Sequence, residues 1–152
     1  MKVSSTSIAI SPAHILMVDD HAAGLKVRKS ILQELGYRVT VATGADEALK
    51  GFGVETYDMV VTDYKMPKVN GVQLIEKIRK IKPHIPIIML SGYVDVLGLS
   101  EATTGADLVI AKSANEVDHL VHGIARLLRR RPPKKPPITV RRSGTKAKAR
   151  NG

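Results

Sequence analysis

The chain has no cysteine and no tryptophan, and it carries one phenylalanine and four tyrosines. Without cysteine there is no disulfide framework, no thiolate zinc site and no thiol nucleophile. With so few rings it lacks the stacking platforms on which proteins hold single-stranded nucleic acid. It also lacks any uninterrupted apolar run of about 18 residues, the length expected of a membrane-spanning helix. The opening stretch MKVSSTSIAISPAH is Ser-rich, carries one lysine and makes a poor secretory signal. These absences predict a cytoplasmic protein.

What is present is aliphatic. Of 152 residues 43% are hydrophobic, enough for one cored domain with some chain to spare. The net charge of +10 is unevenly placed. Ten of the 24 basic residues lie between Arg129 and Gly152 without one acid among them, which leaves fourteen of each sign in the body. The high pI therefore describes an appendage. Residues 131–152 are too polar to fold alone and are expected to be a disordered Pro/Lys/Arg-rich tail. Residues 1–12 are expected to be a flexible leader and 13–130 the folded domain.

Within that domain, apolar runs alternate with amphipathic stretches. HILMVDD (14–20), YRVTVAT (37–43), DMVVTD (58–63), PIIMLSG (86–92) and ADLVIAKS (106–113) read as strands. Helices are expected over 22–35, with Leu25, Ile31, Leu32 and Leu35 inward, and over 45–53. A further helix is expected over 72–81, with Leu74, Ile75, Ile78 and Ile81 on one face. Residues 93–105 are ambiguous, because Gly98, Thr103 and Thr104 weaken a helical pattern. Ser113 and Glu116 have capping-box spacing ahead of a stripe at Val117, Leu120, Val121, Ile124, Leu127 and Leu128. The pattern is (βα)5, which predicts a parallel sheet covered on both faces.

In such a sheet every strand ends on the same edge, and ligand sites form there where the strand order reverses. This sequence puts Asp19 and Asp20 after the first strand, Asp63 at the end of the third, Ser91 at the end of the fourth and Lys112 at the end of the fifth. Clustered acids raise one another's pKa, and a hard divalent cation removes that conflict. Mg²⁺ suits the site because it takes carboxylate and phosphate oxygens while keeping several waters. Asp63 is then placed as a carboxylate nucleophile for a phosphoryl group, with Lys112 neutralising charge and Ser91 offering a hydrogen bond. Taken singly, each is an ordinary turn residue, cap or solvated cation; only the constellation points to chemistry. His21, beside the acid pair, is a poor partner for a metal that prefers oxygen, and its place at a helix start suits an exposed residue. His119, His122 and Arg126 share a face of the last helix that reads as solvated.

The motifs ILMVDD, VVTDYKMPKVNG, IIMLSG, GAD and IAK, spanning about His14 to Arg130, resemble the receiver domain of two-component response regulators. The resemblance implies a flavodoxin-like, doubly wound five-stranded sheet of order 2-1-3-4-5. It implies that Asp63 is phosphorylated by a sensor histidine kinase or a histidine phosphotransfer protein. It further implies that Asp19, Asp20, Asp63 and the Lys65 backbone carbonyl hold Mg²⁺, and that Ser91 and Lys112 occupy the hydroxyl and lysine positions. Such a protein is a phosphoacceptor rather than an enzyme, and phosphorylation-dependent dimerisation is compatible with it. Lys65 and Tyr93 occupy the positions that in the family tune phosphoryl hydrolysis.

Two departures stand out. Ser113 follows Lys112 where the family usually has proline, and Val109 stands where it often has a switching aromatic. With the basic tail, they keep open a pseudo-receiver acting as a docking or nucleic-acid-binding protein independently of phosphorylation. An aspartate-nucleophile phosphohydrolase is disfavoured, since Lys65 stands where those enzymes usually carry a second Asp. No effector fold is legible in residues 129–152, so a single-domain regulator is expected. Its tail would give salt-dependent affinity for nucleic acid or, less readily, for anionic lipid surfaces.

Overall fold

Five apolar runs pair into one parallel sheet in a computed structural model that describes residues 12–130. In chain order the elements are β1 (His14–Val18), α1 (Ala22–Glu34), β2 (Arg38–Ala42), α2 (Ala45–Gly51), β3 (Met59–Asp63) and α3 (Gly71–Ile81). They continue with β4 (Ile87–Ser91), α4 (Val94–Leu97), α5 (Glu101–Thr104), β5 (Leu108–Ala111) and α6 (Glu116–Arg130). The strand order is β2-β1-β3-β4-β5, so the direction of winding reverses between β1 and β3. The expected leader and tail fall almost wholly outside the described residues.

Side chains alternate across the sheet as a period of two requires. Leu16, Val18, Val60, Ile87 and Met89 face α2 and α3, where Ala48, Leu74, Ile75 and Ile78 meet them. Ile15, Met17, Met59, Val61, Ile88, Leu90 and Ile110 face α1 and α6, where Leu25, Leu32, Leu120, Ile124 and Leu127 meet them. Each fully buried aliphatic side chain contributes about 1.5–3 kcal/mol relative to exposure. These two half-cores hold the sheet rigid beneath its carboxyl edge. That edge is level. Val18 pairs with Thr62, Asp63 with Leu90, and Ser91 with Ala111.

The structure refines several local expectations. Leu35 caps α1 and is 54% exposed, and Ile81 at the end of α3 is 52% exposed, so neither joins the inward stripe. Both lie in the last turn, past the point where their helices contact the sheet. The ambiguous 93–105 stretch forms two single turns, α4 and α5. Gly98 and Gly105 close them in left-handed conformation, with φ of 63° and 83°. A non-glycine residue resists that conformation.

The Ser113–Glu116 capping box does not form. Ser113 Oγ accepts from the Asn115 N–H at 3.2 Å, and the Glu116 carboxylate is drawn instead to Arg28. A reciprocal box does start α3, where Asn70 and Gln73 each accept from the other's backbone N–H at 2.9 Å. Among the described residues no helix is long and apolar enough to cross a membrane, and no peptide bond is cis.

Candidate functional site

The sheet edge assembles the acids from two elements. Asp63 is the last residue of β3 and is 6% exposed. Asp19 follows β1 and is 3% exposed, while Asp20 beside it faces solvent. The turn after β1 is held by Asp19 itself, whose Oδ1 accepts from the His21 N–H at 2.9 Å. His21 then caps α1, its Nδ1 accepting from the Gly24 N–H at 3.2 Å. That use, together with its exposed position, agrees with a cap rather than a metal ligand.

One carboxylate oxygen from each of Asp19, Asp20 and Asp63 lies within 4.8 Å of the others. With Lys65, Met66, Pro67 and Lys112 they line a cleft of about 330 Å³. A larger groove of about 570 Å³ runs between β5 and α6, with His119, His122 and Arg126 among its lining residues. No carboxylates converge there. The carboxylates converge in the smaller cleft, which is the candidate site.

Lys112 enters from the end of β5. Its backbone N–H donates to the Ser91 carbonyl at 2.9 Å, which extends the β4–β5 ladder by one bond. Its Nζ lies 2.6 Å from Asp63 Oδ1. Burial pushes the Asp63 carboxyl above the usual carboxylate range and the Asp19 charge adds to this, while Lys112 and Arg28 pull the other way. An oxygen-only donor set with one pKa raised by burial and repulsion suits a hard divalent cation, and suits zinc or copper poorly. The residues present therefore fit Mg²⁺.

Ser91 is buried at the end of β4, and its Oγ accepts from the Tyr93 N–H at 2.9 Å rather than lining the cleft. Lys65 is exposed at the cleft mouth. Its Nζ lies 3.3 Å from the Tyr93 hydroxyl and 5.6 Å from the Tyr93 ring centroid. Tyr64 stands 6.3 Å from the same ring, centroid to centroid. Together they form a rim over the ends of β3 and β4.

Arg28 was not foreseen from the sequence. Its guanidinium donates to Asp19 Oδ2 at 3.2 Å and, through Nε and Nη2, to Glu116 Oε2 at 3.1 and 2.8 Å. A signal was available. Arg28 sits between Leu25 and Leu32 on the inward stripe of α1, and Glu116 heads the stripe that Leu120 and Ile124 continue on α6. A charge on a core-facing stripe needs a partner.

Residues 15–125 match the family described as the response regulator receiver domain. A probable transcriptional regulator, ycf27 of Cyanidium caldarium, is 36% identical over 121 residues, covering 78% of this chain and 48% of that protein. The chain thus spans about half the length, or less, of the curated relatives it matches. The response regulator TrrA of Thermotoga maritima, solved in complex with Mg²⁺–BeF, is 35% identical with a TM-score of 0.68. That alignment covers 76% of this chain and 98% of TrrA. TrrA has also been solved in complex with the histidine kinase ThkA, again at 35% identity, a TM-score of 0.68 and the same coverage.

Proposed function

The chain belongs to the response regulator receiver family, and we propose that Asp63 is its phosphoacceptor, charged by a sensor histidine kinase or a histidine phosphotransfer protein. The observation that carries this reading is the Lys112 ammonium 2.6 Å from Asp63 Oδ1, beside two further carboxylates within 4.8 Å. Relatives support it too, since TrrA is bound to Mg²⁺–BeF in one structure and to a kinase in another.

In the proposed reaction an Asp63 carboxylate oxygen attacks the phosphorus of a phosphohistidine. A P–O bond forms, the P–N bond breaks, and the imidazole nitrogen recovers a proton from solvent. Asp19, Asp20, Asp63 and the Lys65 carbonyl would hold Mg²⁺, which when bound supplies charge neutralisation to the phosphoryl oxygens. Lys112 is already poised on the acceptor and would follow the charge onto a phosphoryl oxygen. The Ser91 hydroxyl would donate to another, giving up its contact with the Tyr93 amide. Adding roughly −1.5 to −2 charge to the cleft would bias the surface around β4 and α6.

We place the receiver at residues 13–130 in the cytoplasm, with nonspecific nucleic-acid contact through the basic residues of 131–152 as a secondary proposal. The paired Asp63 and Lys112, with Asp19 and Asp20 beside them, weigh against a phosphorylation-independent pseudo-receiver. Intact-protein mass spectrometry after incubation with acetyl phosphate and a cognate-type phosphodonor protein tests the reading. The expected result is a Mg²⁺-dependent gain of one phosphoryl group, absent in Asp63→Asn. A gain that survives that substitution, or none from either donor, overturns it.

A further inference from the structure

Between the acidic cleft and the last helix lies an ion-paired chain, Asp19–Arg28–Glu116, that the proposed phosphoacceptor chemistry at Asp63 does not require. The Arg28 side chain is 11% exposed, and its partners Asp19 and Glu116 are 5% and 18% exposed. Three elements meet at this one guanidinium: the turn after β1, the body of α1 and the first residue of α6. Arg28 and Glu116 are 88 residues apart in sequence, so only the packing of α1 against α6 brings them together. On each helix the charge takes a place in the apolar stripe, a costly position unless the charge is paired and hydrogen-bonded.

Resting on the proposed cation site, we infer that Arg28 is a positioning residue that competes with the divalent cation for Asp19 and ties the cleft's occupancy to the first turn of α6. Asp19 Oδ1 is engaged by the His21 N–H, and Oδ2 by Arg28. A dication entering among Asp19, Asp20 and Asp63 meets a positive charge already bound to one of its ligands. It must draw Asp19 away from Arg28 or share it. With two bonds to Glu116, the guanidinium would stay anchored to α6 on releasing Asp19. Linkage makes this reciprocal: whatever tightens the grip of Glu116 on Arg28 frees Asp19 for the cation.

The two ends of the chain therefore have opposite effects. Removing the guanidinium in Arg28→Met takes a competing charge from the cleft and tightens Mg²⁺ binding, by roughly tenfold if the coupling is of ordinary size. Removing the other anchor in Glu116→Gln leaves Arg28 to Asp19 alone and weakens Mg²⁺ binding. Arg28→Lys, which keeps the charge, stays close to wild type. A purely structural role predicts lowered melting temperatures with no such opposition in affinity.

The experiment is calorimetric titration of Mg²⁺ into the unphosphorylated full chain, these three variants and Asp63→Asn, each checked for folding by circular dichroism. If Arg28→Met does not fold, Arg28→Met/Glu116→Met takes its place. It removes both charges in favour of apolar packing and is again expected to bind Mg²⁺ more tightly than wild type. Opposite shifts in dissociation constant establish the competition. Saturable wild-type binding with dissociation constants equal within twofold, or shifted in one direction by both changes, overturns the role of Arg28 alone. Absence of saturable wild-type binding, or binding unaltered by Asp63→Asn, defeats the cation reading and this inference with it.

Discussion

Asp63, the proposed phosphoacceptor, illustrates how a strand end places a buried carboxylate at the sheet edge. The parallel ladder brings it to the edge, where it is 6% exposed on the wall of the cleft, and its carboxyl is pushed upward by that burial and by Asp19. A carboxyl whose pKa is higher folded than unfolded binds its proton more tightly in the native state. Its ionisation therefore takes stability away as pH rises from the unfolded carboxylate value of about 3.9 through the higher folded one. Asp63→Asn should accordingly raise the melting temperature at neutral pH and lose that advantage toward pH ~3.5, below the unfolded value. Thermal melts across this range decide it; a gain independent of pH would contradict the burial argument.

Lys112 is the other half of the pair. Lys112→Met should lower the rate of phosphorylation by about 10²-fold, the usual scale for losing one charge-stabilising donor, with the fold intact by circular dichroism. If Asp63 is phosphorylated as proposed, the Lys65–Tyr93 contact at the rim shields its acyl phosphate from water. Tyr93→Ala should then shorten the lifetime of phosphorylated Asp63 severalfold in purified protein. A wild-type lifetime of only seconds would remove the basis for that shielding.

At the scale of elements, two joints hold the site in place. The first is the loop from β3 to α3. The Gly71 N–H donates to the Tyr64 carbonyl at 2.7 Å, and a Cβ on Gly71 would run into the Asp63 carbonyl oxygen and approach Met89 Cε to 3.0 Å. Only glycine allows that approach of backbone to backbone. Gly71→Ala should cost about 1–3 kcal/mol by overpacking and displace Asp63, so that both the denaturation midpoint and the phosphorylation rate fall. The second joint is α6, whose Ile124 is fully buried against the β1–β3–β4 face. Ile124→Ala should destabilise by about 2–5 kcal/mol in urea titration, while leaving the acids themselves untouched. Residues 93–105 are built differently. Two single turns closed by left-handed glycines make up the crossover, so the rim residue Tyr93 precedes a segment with no helix longer than one turn.

At the scale of the whole molecule, charge is divided rather than blended. The body balances its acids and bases, and the excess of +10 belongs to the end of the chain. If residues 131–152 contact nucleic acid as proposed, binding to duplex DNA should fall steeply with salt, with a slope of about −0.9 per phosphate contact in a log–log plot, and vanish when those residues are removed. Retention of the same affinity by the truncated chain would place the contact on the domain instead. The match to the receiver family covers residues 15–125, so the resemblance speaks for the sheet and its cleft and not for that basic arm.

Much of this was legible beforehand because strands in a parallel sheet report their ends directly. An apolar run stops, and the residues at its end lie on the carboxyl edge of the sheet; Asp19, Asp20, Asp63, Ser91 and Lys112 were all placed on that edge in that way. The alternation of runs and amphipathic stretches likewise carried the architecture, since a period of two or of 3.6 is a local property. Helix ends were less legible. Leu35 and Ile81 continue their stripes in sequence but fall past the contact with the sheet, and Glu116 has capping-box spacing yet serves an arginine on another helix. Nothing local distinguishes those cases, because each depends on what lies opposite. By itself the sequence determined the strands and the longer helices, the polarity of the edge and the acids that meet there. The tertiary structure alone decided that Lys112 reaches Asp63, that the Ser91 hydroxyl is turned to a backbone amide, and that Arg28 joins Asp19 to Glu116. Those contacts are set by packing between elements far apart in the chain, where neither periodicity nor spacing carries information.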